Sequence, residues 1–360
     1  MMSECLKMDF EPLCAGMGIG GMPHLDPAKA CEVILQYTPR AVTLPNCSNI
    51  SYKQRSMFYS SEGLPGRVID DLNKRLYLDS EKFFAELEVF YQHYLEEDIE
   101  YFATSTEFHI GYHVMLDILR KKFPDNTILL KGNIASPVSF CFRLKDEKGE
   151  PIYYNPHFRD AAVKLLGMKA RWLETQLKKV IGPRNVSTLI LFADPFLEVI
   201  GSAYYNLDKA DIINILNECL DSVKGLSGIH CCGNTDWGML LNTQIDVLSF
   251  DAYNYTEKIA LYSQDIKNFL NRGGMLAWGI VPTSTEAVES ENARSLVNKL
   301  IEGIKLLSNK GIDEVLLFRR SFITPSCGTT TLSEQIAERI HVLLKEVYEL
   351  LMENYGHYLQ

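Results

Sequence analysis

The sequence has no run of about 18 uninterrupted apolar residues, the least that a membrane-crossing helix needs, and no low-complexity tract. Neither a membrane span nor disorder is therefore expected; with 46% apolar residues, the 360-residue chain has ample material for a large core. Positive charge is not concentrated anywhere. The formal net charge is −10 and no Lys/Arg stripe stands out, which argues against nucleic acid or an anionic membrane as the main partner. The stretch MMSECLKMDFEPLC lacks the apolar centre of a secretory signal. The nine cysteines are an odd number, so they are expected as reduced thiols of a cytoplasmic protein. No internal repeat and no linker divides the chain, and residues 1–360 are expected to form a single domain.

What is present is an alternation of short apolar, β-branched runs with longer helical patterns. Eight runs predict strands: 40–45, 99–105, 127–133, 187–194, 226–232, 245–252, 273–281 and 313–320. Continuous apolar strands separated by helices imply a parallel sheet covered on both faces, and eight such units predict a (β/α)8 TIM barrel. Asp26 and Pro27 predict one helix start; Thr283 with Glu286, and Thr331 with Glu334, read as capping boxes for two long C-terminal helices. Residues 57–79 and 140–155 break the rhythm and predict β-hairpin insertions near the C-terminal mouth of the barrel, where barrel enzymes bind substrate.

The stretch GIHCCGNTDWG (228–238) ends an apolar run with three metal-capable side chains. Neighbours along a strand face opposite ways, so His230 and Cys232 share a face while Cys231 turns away. Cys327, in TPSCGT, follows the last predicted strand, and Asp251 ends the strand after His230. One imidazole, two thiolates and a carboxylate suit zinc, and ligands spread over separate strand ends resemble catalytic sites more than structural ones. The competing reading is strand-end packing by incidental thiols, which is also how Cys219 and Cys231 are read. Asp251 reads equally as a turn or helix cap. GMGIGG (16–21) lacks the surroundings of a dinucleotide site and reads as a backbone loop approaching substrate at Gly20 and Gly21, with His24 beside it. His109 and His113, four apart, read as surface or packing residues, since the glutamate of a zinc-protease helix is missing.

Through GMGIGGMPHLDP (16–27), SSEGLPG (60–66), KGNIASPVSF (131–140), ADPFL (193–197), IHCCGNTDW (229–237) and TPSCGT (324–329), most of the chain resembles the methyltransferase branch of the uroporphyrinogen decarboxylase and cobalamin-independent methionine synthase superfamily. The resemblance implies zinc held by His230, Cys232 and Cys327, with a family carboxylate at the position of Asp251. It also implies a short form that transfers a methyl group to a small thiol such as homocysteine. The donor would be a corrinoid protein carrying a methylcobamide. Two motifs depart from the family. Gly21 stands where its methionine synthases have a serine that holds homocysteine, and ADP replaces D-E-P, leaving Asp194 in place of the Glu as the acid that could meet an amine. A porphyrinogen-type decarboxylase and a non-catalytic zinc-binding partner of a corrinoid protein are the alternative readings.

Overall fold

The β-branched runs pair in parallel in the computed structural model, which describes residues 10–199 and 208–359; Cys5 lies outside the described residues. The strands are β1 (Ala41–Thr43), β2 (Arg67–Asp70), β3 (Arg75–Leu78), β4 (Leu129–Ala135), β5 (Ser187–Ala193), β6 (Leu226–Cys231), β7 (Val247–Phe250), β8 (Met275–Val281) and β9 (Ser321–Pro325). Seven form one parallel sheet in the order β1-β4-β5-β6-β7-β8-β9, while β2 and β3 make an antiparallel hairpin. The sheet is curled and helices cover it, a TIM-barrel-like arrangement. Side-chain alternation divides the core in two. Ala41, Leu129, Leu189, Leu226, Val247, Met275 and Phe322 pack together on one face. Val42, Leu130, Ile190, Ile229, Leu248, Leu276 and Ile323 join the larger cluster on the other.

The two edges of this sheet are joined by a segment that the hydrophobic pattern does not reveal. Gly16 bridges Ile323 and Met17 bridges Ala41, both in the parallel sense. Met17 N–H donates to Ile323 O at 2.9 Å, and Ile323 N–H to Ala15 O at 3.1 Å. It lies between β9 and β1, not between β1 and β4, which pair directly and leave no room for the strand expected at residues 99–105. Those residues form turns instead, and the fully buried Lys169, on the helix Pro156–Ile181, donates from Nζ to Phe102 O, Ala103 O and Thr104 Oγ1 at 3.1–3.3 Å. An ammonium thus satisfies carbonyls that a neighbouring strand would otherwise meet.

Other expectations are also revised. Residues 314–319 of the predicted run 313–320 are helical, because the Asp313 carboxylate accepts from Val315 N and Leu316 N as a cap, and β9 begins just beyond. The expected hairpin at 140–155 starts inside the helix Pro137–Arg143, leaving only a Lys145–Pro151 bridge. Asp26 caps Pro27–Tyr37 as expected. Ser284, not Thr283, caps Thr285–Ser290; a second start at Asn292 opens Ala293–Ser308; Ser333 rather than Thr331 caps Glu334–Tyr355.

Burial lowers Lys169 from 10.5 to about 7, and Lys131 on β4 equally. The folded pKa is depressed, so between pH 7 and 10.5 the unfolded chain binds more protons, and stability falls as pH drops toward 7. Each lysine should add up to about 1.4 kcal/mol of unfolding free energy per pH unit above 7. Lys169→Met, which keeps an apolar stem, should remove about half of that slope in denaturation curves taken between pH 7 and 8.5. An unchanged slope would show that Lys169 titrates normally.

Candidate metal centre

His230 lies one residue before the end of β6, on the inward face it shares with Leu226, and Cys232 continues that parity just past the strand. Cys327 follows β9 by two residues. The curl of the sheet brings the three together: one ligand atom from each of His230, Cys232 and Cys327 lies within 4.8 Å of the others. Tetrahedral zinc sets its donor atoms about 3.3–3.8 Å apart, so modest side-chain rotations complete the fit.

The imidazole is oriented for this task. Its Nδ1 is 2.9 Å from Ser249 Oγ, across the β6–β7 register, while Nε2 is buried and has no hydrogen-bond partner among the described residues. A buried ring nitrogen without a partner costs about 1–3 kcal/mol unless something takes its lone pair, and a metal does so. Hydrogen bonding with the neighbouring Cys232 brings the Cys327 thiol down from 9.0 to about 7, and the same contact pushes Cys232 up. Cys232 keeps its proton and Cys327 is the first to ionise, so one thiolate is ready near neutral pH. Cys231 faces the other way, buried, with its Sγ on Gly233 O, and Cys219 is buried with its Sγ on Val163 O. Trp237 is core, edge-on to Phe250, and Asp236 caps the short helix Trp237–Leu241.

Asp251 stands outside the three-residue group. It caps the helix Ala252–Ile259, accepting from Asn254 N at 3.0 Å and Asn254 Nδ2 at 2.7 Å; burial raises its pKa. Asp194 is fully buried. Its carboxylate accepts from Ser136 Oγ, from Ser139 Oγ at 2.5 Å and from Phe196 N at 3.1 Å, while its own N–H donates to His230 O at 2.8 Å. Burial raises it from 3.8 to about 6. Three donors already engage the carboxylate, so Asp194 ties the ends of β4 and β5 to the metal-capable strand. His24 is fully buried too, with Nε2 3.5 Å from Glu338 Oε1, which places it behind the loop rather than on an open surface. His109 caps the helix Ile110–Lys121, and His113 bonds Thr104 O.

Gly20 and Gly21 do line a loop beside the centre. Gly20 has φ +128°, in the region that favours glycine. Gly21 O accepts from both Thr329 N (2.9 Å) and Thr329 Oγ1 (2.8 Å), stitching this loop to the one that carries Cys327. Sequence reasoning missed Ser249, although it lies two residues before Asp251 with inward parity, and it missed the serines around Asp194, which belong to a different strand end. A cleft of about 910 Å³ lies on the outer wall along Asp26, Lys29 and Ile118 and includes none of the three metal-capable residues.

No protein-family model matches this chain, and no curated protein does. Among solved structures it is similar to a B12-independent methionine synthase from Shewanella sp. W3-18-1 in complex with selenomethionine, at 13% sequence identity and a TM-score of 0.59, over 96% of this chain and 99% of that one. At that identity the likeness speaks for architecture: the chain has a methionine synthase-like, TIM-barrel-like α/β fold.

Proposed function

We propose that this protein is a zinc-dependent methyltransferase that passes a methyl group to a small thiol such as homocysteine, with a methylcobamide-bearing corrinoid protein as donor. The observation that carries this reading is the set of His230, Cys232 and Cys327 ligand atoms within 4.8 Å of one another at the strand ends. Three protein donors leave one tetrahedral position, which is the pattern of a catalytic rather than a structural zinc site. Zinc held there supplies the Lewis acidity that favours the ionised form of an acceptor thiol.

The chain's own groups do the remainder. Ser249 engages Nδ1 of the imidazole, which leaves Nε2 as the ring nitrogen free to bind a metal. Cys327 ionises first and Cys232 follows on loading, giving two electron-rich thiolates. Asp251, engaged by Asn254, leaves the fourth position to the acceptor. Gly20 and Gly21 form the acceptor-facing loop, with His24 behind it, while Asp194 braces the end of the strand that carries His230. On this reading the chain is one cytoplasmic barrel domain, with residues 15–17 as its eighth stave.

The test is alkylation. Zinc-loaded protein incubated with homocysteine and either methylcobalamin or a methylated corrinoid protein should yield the S-methyl product, detected by mass spectrometry. Full zinc occupancy with no methylated thiol from either donor would overturn the proposal.

A further inference from the structure

The metal centre lies at the C-terminal ends of the strands; a separate pocket of about 260 Å³ opens at their N-terminal ends. It sits where β1 begins, between the last residues of the helix Pro27–Tyr37 and the flank of the helix Glu334–Tyr355. Arg40, Asn126, Lys345 and Tyr348 line it, and it reaches Gly16 of the segment that joins the sheet edges.

Arg40 is notable for what it does not bond. Its carbonyl accepts from Ile128 N at 2.8 Å and Leu129 N at 3.2 Å, which fixes the backbone from which the side chain springs. The guanidinium lies over Tyr348, with Cζ 5.8 Å from the ring centroid, yet makes no hydrogen bond or ion pair among the described residues. Nε is buried and without a partner, so the fork of the two Nη nitrogens is the part left open. A cation placed here would ordinarily serve the last carbonyls of the preceding helix. Arg40 bonds none of them, and both the Thr38 N–H and its hydroxyl meet Ile34 O instead. The Tyr37 and Tyr348 hydroxyls and the Asn126 amide, which share the pocket, also have no hydrogen-bond partner among the described residues. Lys345 adds a second cation at the rim, 3.8 Å from Glu349.

We infer that this pocket binds a small oxyanion, a phosphate or a carboxylate, on the Arg40 fork, with Lys345 and the two tyrosine hydroxyls as further donors. The competing reading is a solvated arginine on the barrel face that serves stability. Water can cover the Nη nitrogens, but it does not balance a guanidinium whose Nε is already shut away from solvent. An oxyanion takes both Nη groups through parallel charge-assisted bonds and neutralises the charge as well. The pocket is smaller than the roughly 300–1,000 Å³ of sites for drug-sized ligands, so the occupant is a small acid and not a dinucleotide or a corrinoid. It would touch the start of β1, the joining segment and the C-terminal helix at once, and so would hold the sheet edges together. This site is independent of the methyl-transfer reading.

The experiment is calorimetric titration and thermal unfolding of the full chain. Sodium phosphate and sodium succinate are the two probes, with sodium chloride at matched ionic strength as the blank. At least one oxyanion should saturate with a Kd of about 1 mM or tighter and raise the Tm as its concentration rises. Which of the two binds distinguishes a phosphate site from a carboxylate site. Arg40→Met should weaken binding at least about tenfold, and the Tm rise that survives in it is the general effect of excluded salts. Arg40→Lys keeps the charge but loses the fork, and should weaken binding nearly as much. Arg184→Met, beside a different cleft at the same end of the sheet, should bind like the parent. No saturable binding of either probe to the parent up to about 20 mM, or full affinity in Arg40→Met or Arg40→Lys, would overturn the inference and leave a solvated arginine.

Discussion

Purified His230→Ala and Cys327→Ser proteins should each carry less than about one tenth of a zinc per chain, against about one in the parent. Zinc held by a full ligand set contributes on the order of 10 kcal/mol of apparent binding energy. Removing one of three protein donors should cost several kcal/mol of that, a loss of on the order of a thousandfold in affinity. Cys231→Ser supplies the control, because Cys231 faces the opposite side of β6 and its Sγ already bonds Gly233 O. Zinc retained in both variants, or lost equally in Cys231→Ser, would place the metal elsewhere. Zinc missing from the parent under reducing, chelator-free conditions would reduce the His-Cys-Cys stretch to strand-end packing.

The second large effect is on stability. Asp194→Ala strips an acceptor from Ser136 and Ser139, both buried, and from the Phe196 N–H. Leaving buried donors without a partner should lower the unfolding free energy by about 3 kcal/mol, read as an earlier urea midpoint at constant slope. Asp194→Asn, which keeps one acceptor oxygen and avoids burying a charge, should cost about 1 kcal/mol. An Asp194→Ala protein as stable as the parent, changed only in its KM for the acceptor, would show that the carboxylate meets the substrate amine after all.

Most of the sheet was legible because a parallel strand buried on both faces must be apolar throughout, as Leu189–Phe192 and Met275–Ala277 are. The errors have specific causes. DEVLLFRR satisfies a strand pattern and a helix pattern equally, and the Asp313 cap decides for the helix. IEYFATS was read as a strand because nothing local announces that Lys169, more than sixty residues on, will take its carbonyls. The segment that joins the sheet edges has only a few residues and follows Leu13 and Cys14, both at positive φ, so no periodicity could show it. Because residues 99–105 were counted and this segment was not, β6 was still numbered fifth and Cys327 still fell after the eighth strand. The structure brings His230, Cys232 and Cys327 of the metal-capable set close together and leaves Asp251 outside the group. Its support was less visible: Ser249 is fixed by register, and the serines that engage Asp194 are distant in sequence.

The position of Cys327 has a consequence for how the chain matures. It is some 95 residues beyond Cys232, and bringing such ends together costs roughly 4 kcal/mol of loop entropy in an unordered chain. In the folded protein that cost has been met by the β6–β7, β7–β8 and β8–β9 pairings that stand between the two cysteines. A partly folded chain would therefore offer a metal ion only a His-Cys pair and would hold it weakly. Occupancy of the centre would thus mark the molecules whose C-terminal half has docked, and scarce metal would be kept from those that have not.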